Sequence, residues 1–288
     1  MFDIAVFTLS QLLSAGMTRR AVDTAIRSGS LIRARRGCYL PGDAPRAVVE
    51  AVRVGGRLTC LSMLQLCRVF VFANSATHVH LARGASRLRS PVDARRGLEP
   101  PQARTARLHW LPLVRPEMAG KACVGVIDAV AHAVLCQPAR YAVATIDSAL
   151  NRGLLREREL AELFAALPRK YGVLRGLIDG RAQSGTETLV RLMARALGCR
   201  VEIQVHFAGV GHVDLVLDGW LVVECDSREF HELVEQQLED RRRDGELAKQ
   251  GMVVLRLMAA QILYRPDEVI AALRAVLAVH RRCAVAAR

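Results

Sequence analysis

Lysine is almost missing from this 288-residue chain. Only Lys121, Lys170 and Lys249 occur, so 38 of the 41 basic residues are arginine. The formal net charge is still +13, an excess that invites a polynucleotide partner, although a GC-rich coding sequence also favours Arg, Ala and Val. No C-x-x-C pair occurs among the eight cysteines. In a chain this long that argues against a zinc ribbon or a disulfide frame and for reduced thiols in a cytoplasm. The most apolar run, residues 122–136, is interrupted by Asp128 and His132 and is too short to span a bilayer. The opening MFDIAVF lacks a basic n-region and carries Asp3, so neither a secretory leader nor a membrane segment is expected. Repeats and low-complexity tracts are also lacking. What is present is enough apolar residue, 51%, for two or three small domains with cores of their own. Charge is unevenly spread: residues 184–288 hold 14 basic and 15 acidic residues, net −1, leaving +14 on residues 1–183.

Within that basic front, residues 1–46 read as helix, tight turn, helix and ribbon. A first helix near Leu9–Ala15 ends at Gly16, and Thr18 is placed to cap a second, Arg19–Ser28, closed by Gly29. Two short strands follow, Leu31–Arg35 and Gly37–Leu40. This is the order of a winged helix-turn-helix, whose second helix enters the major groove of duplex DNA while the wing touches the backbone. Arg19 and Arg20 lie at the leading end of that helix, where base edges are met. Arg27, Arg33, Arg35 and Arg36 are placed for phosphates. A small helical domain with a solvated arginine face would read the same way. The stretch LSQLLSAGMTRRAVDTAIRSGSLIRARRGCYLP resembles the N-terminal winged helix of AbiEi-type antitoxins of type IV toxin–antitoxin systems. The likeness includes the Gly16 turn, the arginine pair and the Gly37-x-Tyr39 end of the wing. It implies duplex DNA and a cognate toxin protein as partners.

Residues 47–180 form a mixed α/β middle region. Helices are expected at 46–54, 58–66, 124–135, 141–151 and 157–167, and strands at 77–81 and 105–111, with a Pro/Gly/Arg-rich loop between the strands. This segment resembles the mixed region that follows the winged helix in actinobacterial proteins of this build, which assigns it no role. His78 and His80 alternate along their strand and leave one face. Two histidines there would suit a metal, but no third ligand is evident, and polar pairs are common on the wet face of a strand.

Residues 184–288 read α-β-β-β-α-β-α, and their centre is GHVDLVLDGWLVVECDSREFH, residues 211–231. Asp218-Gly219 between two apolar runs signals a hairpin. Asp214, Glu224 and Asp226 interrupt those runs, and carboxylates rarely sit in apolar strands unless paired or bound to metal. Glu224 and Asp226 leave one face. Asp214 opposes Glu224 only if the loop has an odd number of residues, Trp220 being the third; a strict two-residue turn would put them on opposite faces. Glu187 follows Ser184 at capping-box spacing, and Glu239 to Arg243 would serve as a solvated helix face with i,i+3 and i,i+4 pairs.

SGTETLVRLMARALG, the hairpin, and EDRRRDGELAKQGMVVLRL together resemble a domain family of unassigned function related to Vsr-type (very-short-patch-repair) endonucleases, a branch of the PD-(D/E)XK fold. Its pattern falls on Glu187, Asp214, Glu224, Asp226, His231, Asp240, Arg243 and Asp244. The resemblance implies a restriction-endonuclease-like α/β core, making the chain α/β (α+β) overall. It also implies Mg²⁺ or Mn²⁺ on Asp214 and Glu224, catalytic roles for Asp226, His231 and Glu187, and Arg243 against DNA. Two departures stand out: Ser227 replaces a glycine, and Met252 a tryptophan. Asp226 occupies the place where the broader fold often has lysine. The expected function is metal-dependent cleavage of DNA, RNA being the other polynucleotide the fold accepts. The alternative is a type IV antitoxin-like transcriptional regulator whose nuclease-like domain is inactive.

Overall fold

The computed structural model describes residues 4–226 and 234–286, and the chain is α+β. It groups into two compact units, residues 1–138 with 155–175, and 139–154 with 176–288. The expected segments 1–46, 47–180 and 184–288 do not coincide with this grouping. The middle region is shared out, its helix at 139–151 joining the C-terminal unit.

The first unit begins with α1 (Leu9–Ser14) and α2 (Arg19–Arg27), then β1 (Leu31–Arg35) and β2 (Cys38–Pro41). Thr8 and Thr18 cap the two helices, each hydroxyl accepting from a backbone N–H three residues on. Each cap satisfies one of the donors a helix start leaves open. Leu12, Val22, Leu31 and Tyr39 form the core of this small domain, with Phe7, Leu9, Met17, Ala25 and Ile26 packed around it. Phe7 bridges Tyr39 in antiparallel fashion, adding a third segment beside the β1–β2 ribbon. The unit continues with α3 (Arg46–Val54), β3 (Arg57–Leu58), α4 (Cys60–Leu66), β4 (Thr77–His80), β5 (Ala106–His109) and α5 (Val126–Cys136). β3 is antiparallel to β4, and β4 is parallel to β5. The expected helix from residue 58 therefore starts two residues later, because Leu58 is drawn into the sheet opposite Val79.

The second unit contains α6 (Ala139–Asn151), while α7 (Leu160–Ala165) belongs to the first. Then come α8 (Gly185–Ala196), β6 (Val201–Phe207), β7 (Gly211–Leu217), β8 (Leu221–Asp226), α9 (Val234–Lys249), β9 (Val253–Met258), α10 (Ala259–Tyr264) and α11 (Pro266–Ala286). The sheet order is β6-β7-β8-β9. Its first three strands form an antiparallel meander, and β9 returns parallel to β8 after the α9 crossover. Leu215 to Leu217 and Leu221 to Cys225 are buried at every position, so both faces of the central strands are covered. α9 ends in a Schellman cap: Met252 N–H donates to Leu247 O and Gly251 N–H to Ala248 O, with Gly251 at φ +78°. Glycine holds that left-handed position without strain. α10 lies where no helix was expected; its six residues directly continue β9 and carry no strong periodicity.

Candidate functional site

The β7–β8 hairpin turns through Asp218 and Gly219, both at positive φ, and its innermost pair is Leu217 with Leu221. Three residues therefore occupy the loop, the odd number that puts Asp214 and Glu224 on one face. The paired register runs out to Leu215 opposite Val223, and the next step brings Asp214 to Glu224. There the backbone ladder gives way to side chains. Asp214 N–H donates to Glu224 Oε2 at 3.1 Å, and Cys225 N–H donates to Asp214 Oδ2 at 2.7 Å. Each carboxyl is locked by the neighbouring strand's backbone.

Glu187 enters from the first turn of α8. Ser184 caps that helix by accepting from Glu187 N–H, but the glutamate does not complete a capping box. Its Oε2 accepts instead from Gln183 N–H and from Gln204 Nε2, both at 2.9 Å. Glu187 and Glu224 are buried, and Asp214 is partly so. Burial raises the Glu224 carboxyl to about 7, with the adjacent Asp214 charge adding to the effect. Burial likewise raises Asp214, helped by Asp226, and Glu187, helped by Asp214. Desolvation and like charge act together to raise all three. One oxygen of each carboxylate is held by N–H groups. Carboxylate oxygens are the hard donors Mg²⁺ takes, usually from one or two carboxylates alongside its waters, and here Glu224 Oε1 is already met by Arg243 Nη2 at 3.4 Å.

Asp226 sits at the edge of this group, half-buried, and Arg256 Nη1 reaches it at 3.5 Å. Arg256 lies directly across the β8–β9 pair from Glu224 and also binds Asp244 at 2.7 Å and Asp240 at 3.7 Å. The acidic positions of α9 thus gather on one strand arginine that the motif pattern did not single out. Its only sequence signal is a lone charge inside the apolar run MVVLRL. Arg243 differs from expectation. Its guanidinium turns inward to His212 O at 2.8 Å and Glu224 Oε1 at 3.4 Å, so it balances the carboxylates and is not held out toward a phosphate. His231 and Ser227 lie outside the described residues.

On the winged helix, Thr18 is engaged as the α2 cap, and Arg19 and Arg20 are exposed at the first two helical positions. Arg27, Arg33 and Arg36 are exposed as well. Arg35 departs from the expected set. It donates to Val54 O and Arg87 O, tying the wing to the end of α3, and its contacts are internal. His78 and His80 do share a face, but only His78 meets other ligand-type side chains closely; His80 Nε2 hydrogen bonds Leu111 O.

Residues 4–42 match the family described as transcriptional regulator, AbiEi antitoxin. This front segment is similar to an AbiEi antitoxin-type regulator domain. The match stops with the wing. Along most of its length the chain is similar to two uncharacterized proteins of Mycobacterium tuberculosis, from strains CDC 1551 and H37Rv. Each is 25% identical over 277 residues, covering 88% of this chain and 95% of the relative. No helix among the described residues is long and apolar enough to cross a membrane.

Proposed function

We propose that the protein is a DNA-binding regulator of the AbiEi antitoxin type that reads duplex DNA through α2. The observation that carries this reading is the coincidence of the 4–42 family match with a capped recognition-type helix exposing Arg19 and Arg20. The antitoxin description of the family extends the proposal to a protein toxin as a second partner. The test is duplex binding by the full chain across a salt series, beside the double variant Arg19→Ala/Arg20→Ala. Wild-type affinity should fall linearly in log–log with salt. The double variant should bind at least about tenfold more weakly, since a good bidentate base contact contributes about 1–3 kcal/mol. If either arginine neutralises a phosphate instead, its removal should flatten the salt slope by about 0.9. Salt-insensitive binding, or unchanged affinity in the variant, overturns the proposal.

A second reading, favoured by the Glu187–Asp214–Glu224 convergence, is that the C-terminal unit hydrolyses phosphodiesters with Mg²⁺ or Mn²⁺. Asp214, Glu224 and Glu187 would hold the ion, which when bound neutralises charge on a transferring phosphoryl group and lowers the pKa of a water. The chain's own contribution is orientation. The Cys225 and Asp214 amides fix two carboxylates, Gln183 and Gln204 fix the third, and Arg243 and Arg256 keep uncompensated negative charge from accumulating beside a polyanion. Order and spacing also resemble the Vsr-related pattern, with Arg256 and Arg243 as the cations nearest the site in place of the usual lysine. Incubation with plasmid and either metal tests this reading.

A further inference from the structure

The four best metal ligands in the first unit come from four separate elements. β4 alternates Thr-His-Val-His, and β5 runs parallel to it with His80 opposite His109, so His78, His80 and His109 all leave one face of the sheet. α5 brings Cys136 to that face at its C-terminal end. α4 brings Cys60, its first residue, which is held at φ +53°. A left-handed conformation is unfavourable for a residue with a β-carbon and persists only where the surroundings dictate it. One ligand atom from each of Cys60, His78, His109 and Cys136 lies within 4.8 Å of every other. His78 Nδ1 is 3.0 Å from His109 Nε2, and Cys136 Sγ is 3.9 Å from the same nitrogen. Four ligands at zinc's usual bond lengths on a tetrahedron stand about 3.3–3.8 Å apart. Cys60, His78 and His109 are buried and Cys136 is partly buried.

We propose that Cys60, His78, His109 and Cys136 bind a structural Zn²⁺ that fastens α4 and α5 to the β4–β5 pair. Two thiolates and two imidazoles are the soft and borderline donors that select zinc over the hard cations suited to carboxylates. Four protein ligands leave no position for substrate, so the site is structural and not catalytic. Two thiolates also cancel the ion's charge, which suits a buried position. His80 and His132 flank the set. His132 stacks on His109 with ring centroids 5.2 Å apart and is anchored by Thr59 Oγ1 at 2.7 Å from its Nδ1, so the ring wall around the ligands is held from behind. α3 packs on both β1 of the wing and the β3–β4 pair. Zinc would therefore brace the platform beneath the regulator domain.

The test uses the full chain carrying Asp214→Asn, so that the carboxylate group does not add to the metal count. Purified from medium containing zinc, it should hold close to one equivalent by elemental analysis. Replacement by Co²⁺ should give the d–d bands of a tetrahedral site together with thiolate-to-metal charge transfer. Adding Cys60→Ser/Cys136→Ser should reduce the metal content at least about tenfold. If that variant does not fold, mercurial titration of the thiols in the parent protein should release zinc in proportion to thiol blocked. A parent protein that stays metal-free after refolding with Zn²⁺, cobalt spectra without thiolate bands, or a Cys60–Cys136 disulfide in freshly purified protein would each overturn the site.

Discussion

If the C-terminal unit hydrolyses phosphodiesters, Asp214→Asn should abolish metal-dependent cleavage while leaving duplex binding unchanged. The residue makes two kinds of contact, and the substitution separates them. Asp214 Oδ2 accepts from Cys225 N–H at 2.7 Å; an asparagine carbonyl can accept the same bond, so the hairpin edge keeps its shape. The other side of the carboxylate becomes an amide N–H₂, which repels a cation instead of binding it. A bound metal contributes several kcal/mol of charge stabilisation to phosphoryl transfer, on the order of a 10³-fold or greater loss in rate when it goes. Binding by residues 4–42 should stay within about twofold, because those residues have their own core. Plasmid nicking in Mg²⁺ or Mn²⁺ and calorimetric Mn²⁺ binding check the two sides separately. Equal nicking by wild type and Asp214→Asn would mark the activity as a contaminant. A wild type inert on duplex, single-stranded and mismatched DNA and on RNA would overturn the nuclease reading and leave the regulator alone.

The hairpin shows why some features of this chain are legible in sequence. A strand's side-chain period is two, so everything about Asp214 and Glu224 depends on whether the loop is odd or even. Asp218-Gly219 announces a turn without giving its length, but the buried carboxylates make sense only with Trp220 in the loop, and that is what forms. The winged helix is readable for a similar local reason. Thr18 before a helical run, glycines at its ends and alternating apolar residues each have a short-range cause, and the helix bounds fall within a residue or two of expectation.

Long-range partners are another matter. Arg35 looks like any exposed wing arginine until the carbonyls of Val54 and Arg87 arrive to receive it. Arg243 lies in a run of three arginines, and only the path of α9 past β8 selects it for Glu224. The pairing of His78 with His109 and two cysteines has no motif to betray it, because its ligands span residues 60 to 136 and come from four different elements. Metal motifs are recognisable when two ligands share a tight turn. Here none do, and the parallel β4–β5 pairing across a long loop brings them together.

The largest stability effects should come from a buried ion pair that neither candidate site uses. Asp147 of α6 and Arg191 of α8 are both fully buried, and Arg191 Nη2 donates to Asp147 Oδ2 at 2.6 Å. The same oxygen accepts from Thr188 Oγ1 at 2.8 Å, and Oδ1 accepts from Asp179 N–H at 2.8 Å. Asp147→Asn keeps one acceptor oxygen for these neighbours, replaces the other with an N–H₂ donor, and strands a guanidinium that cannot shed its proton. The expected loss is about 3–5 kcal/mol above about pH 6, where Asp147 is ionised, and smaller below it, where the wild-type carboxyl is already neutral. Arg191→Met should behave differently, because a carboxyl can neutralise itself. Burial already lifts Asp147 to about 6 despite the arginine. Between about pH 4 and 6 the folded unit therefore holds more protons than the unfolded chain, and stability falls as pH rises through that window before levelling off. Without Arg191 the carboxyl rises further, so the decline should extend to higher pH. The variant's deficit should be smaller at pH 5 than at pH 8. The double change Asp147→Leu/Arg191→Met, which removes both charges, should recover most of the loss, since apolar replacements of buried pairs are often neutral or better. Urea unfolding followed by tryptophan fluorescence in a Trp110→Phe background reads this unit alone, because Trp220 is then the only tryptophan. An Asp147→Asn loss below about 1 kcal/mol, near the value of an exposed pair, or an Arg191→Met deficit equal at the two pH values, would show that the pair is solvated and does not act as a buried ion pair.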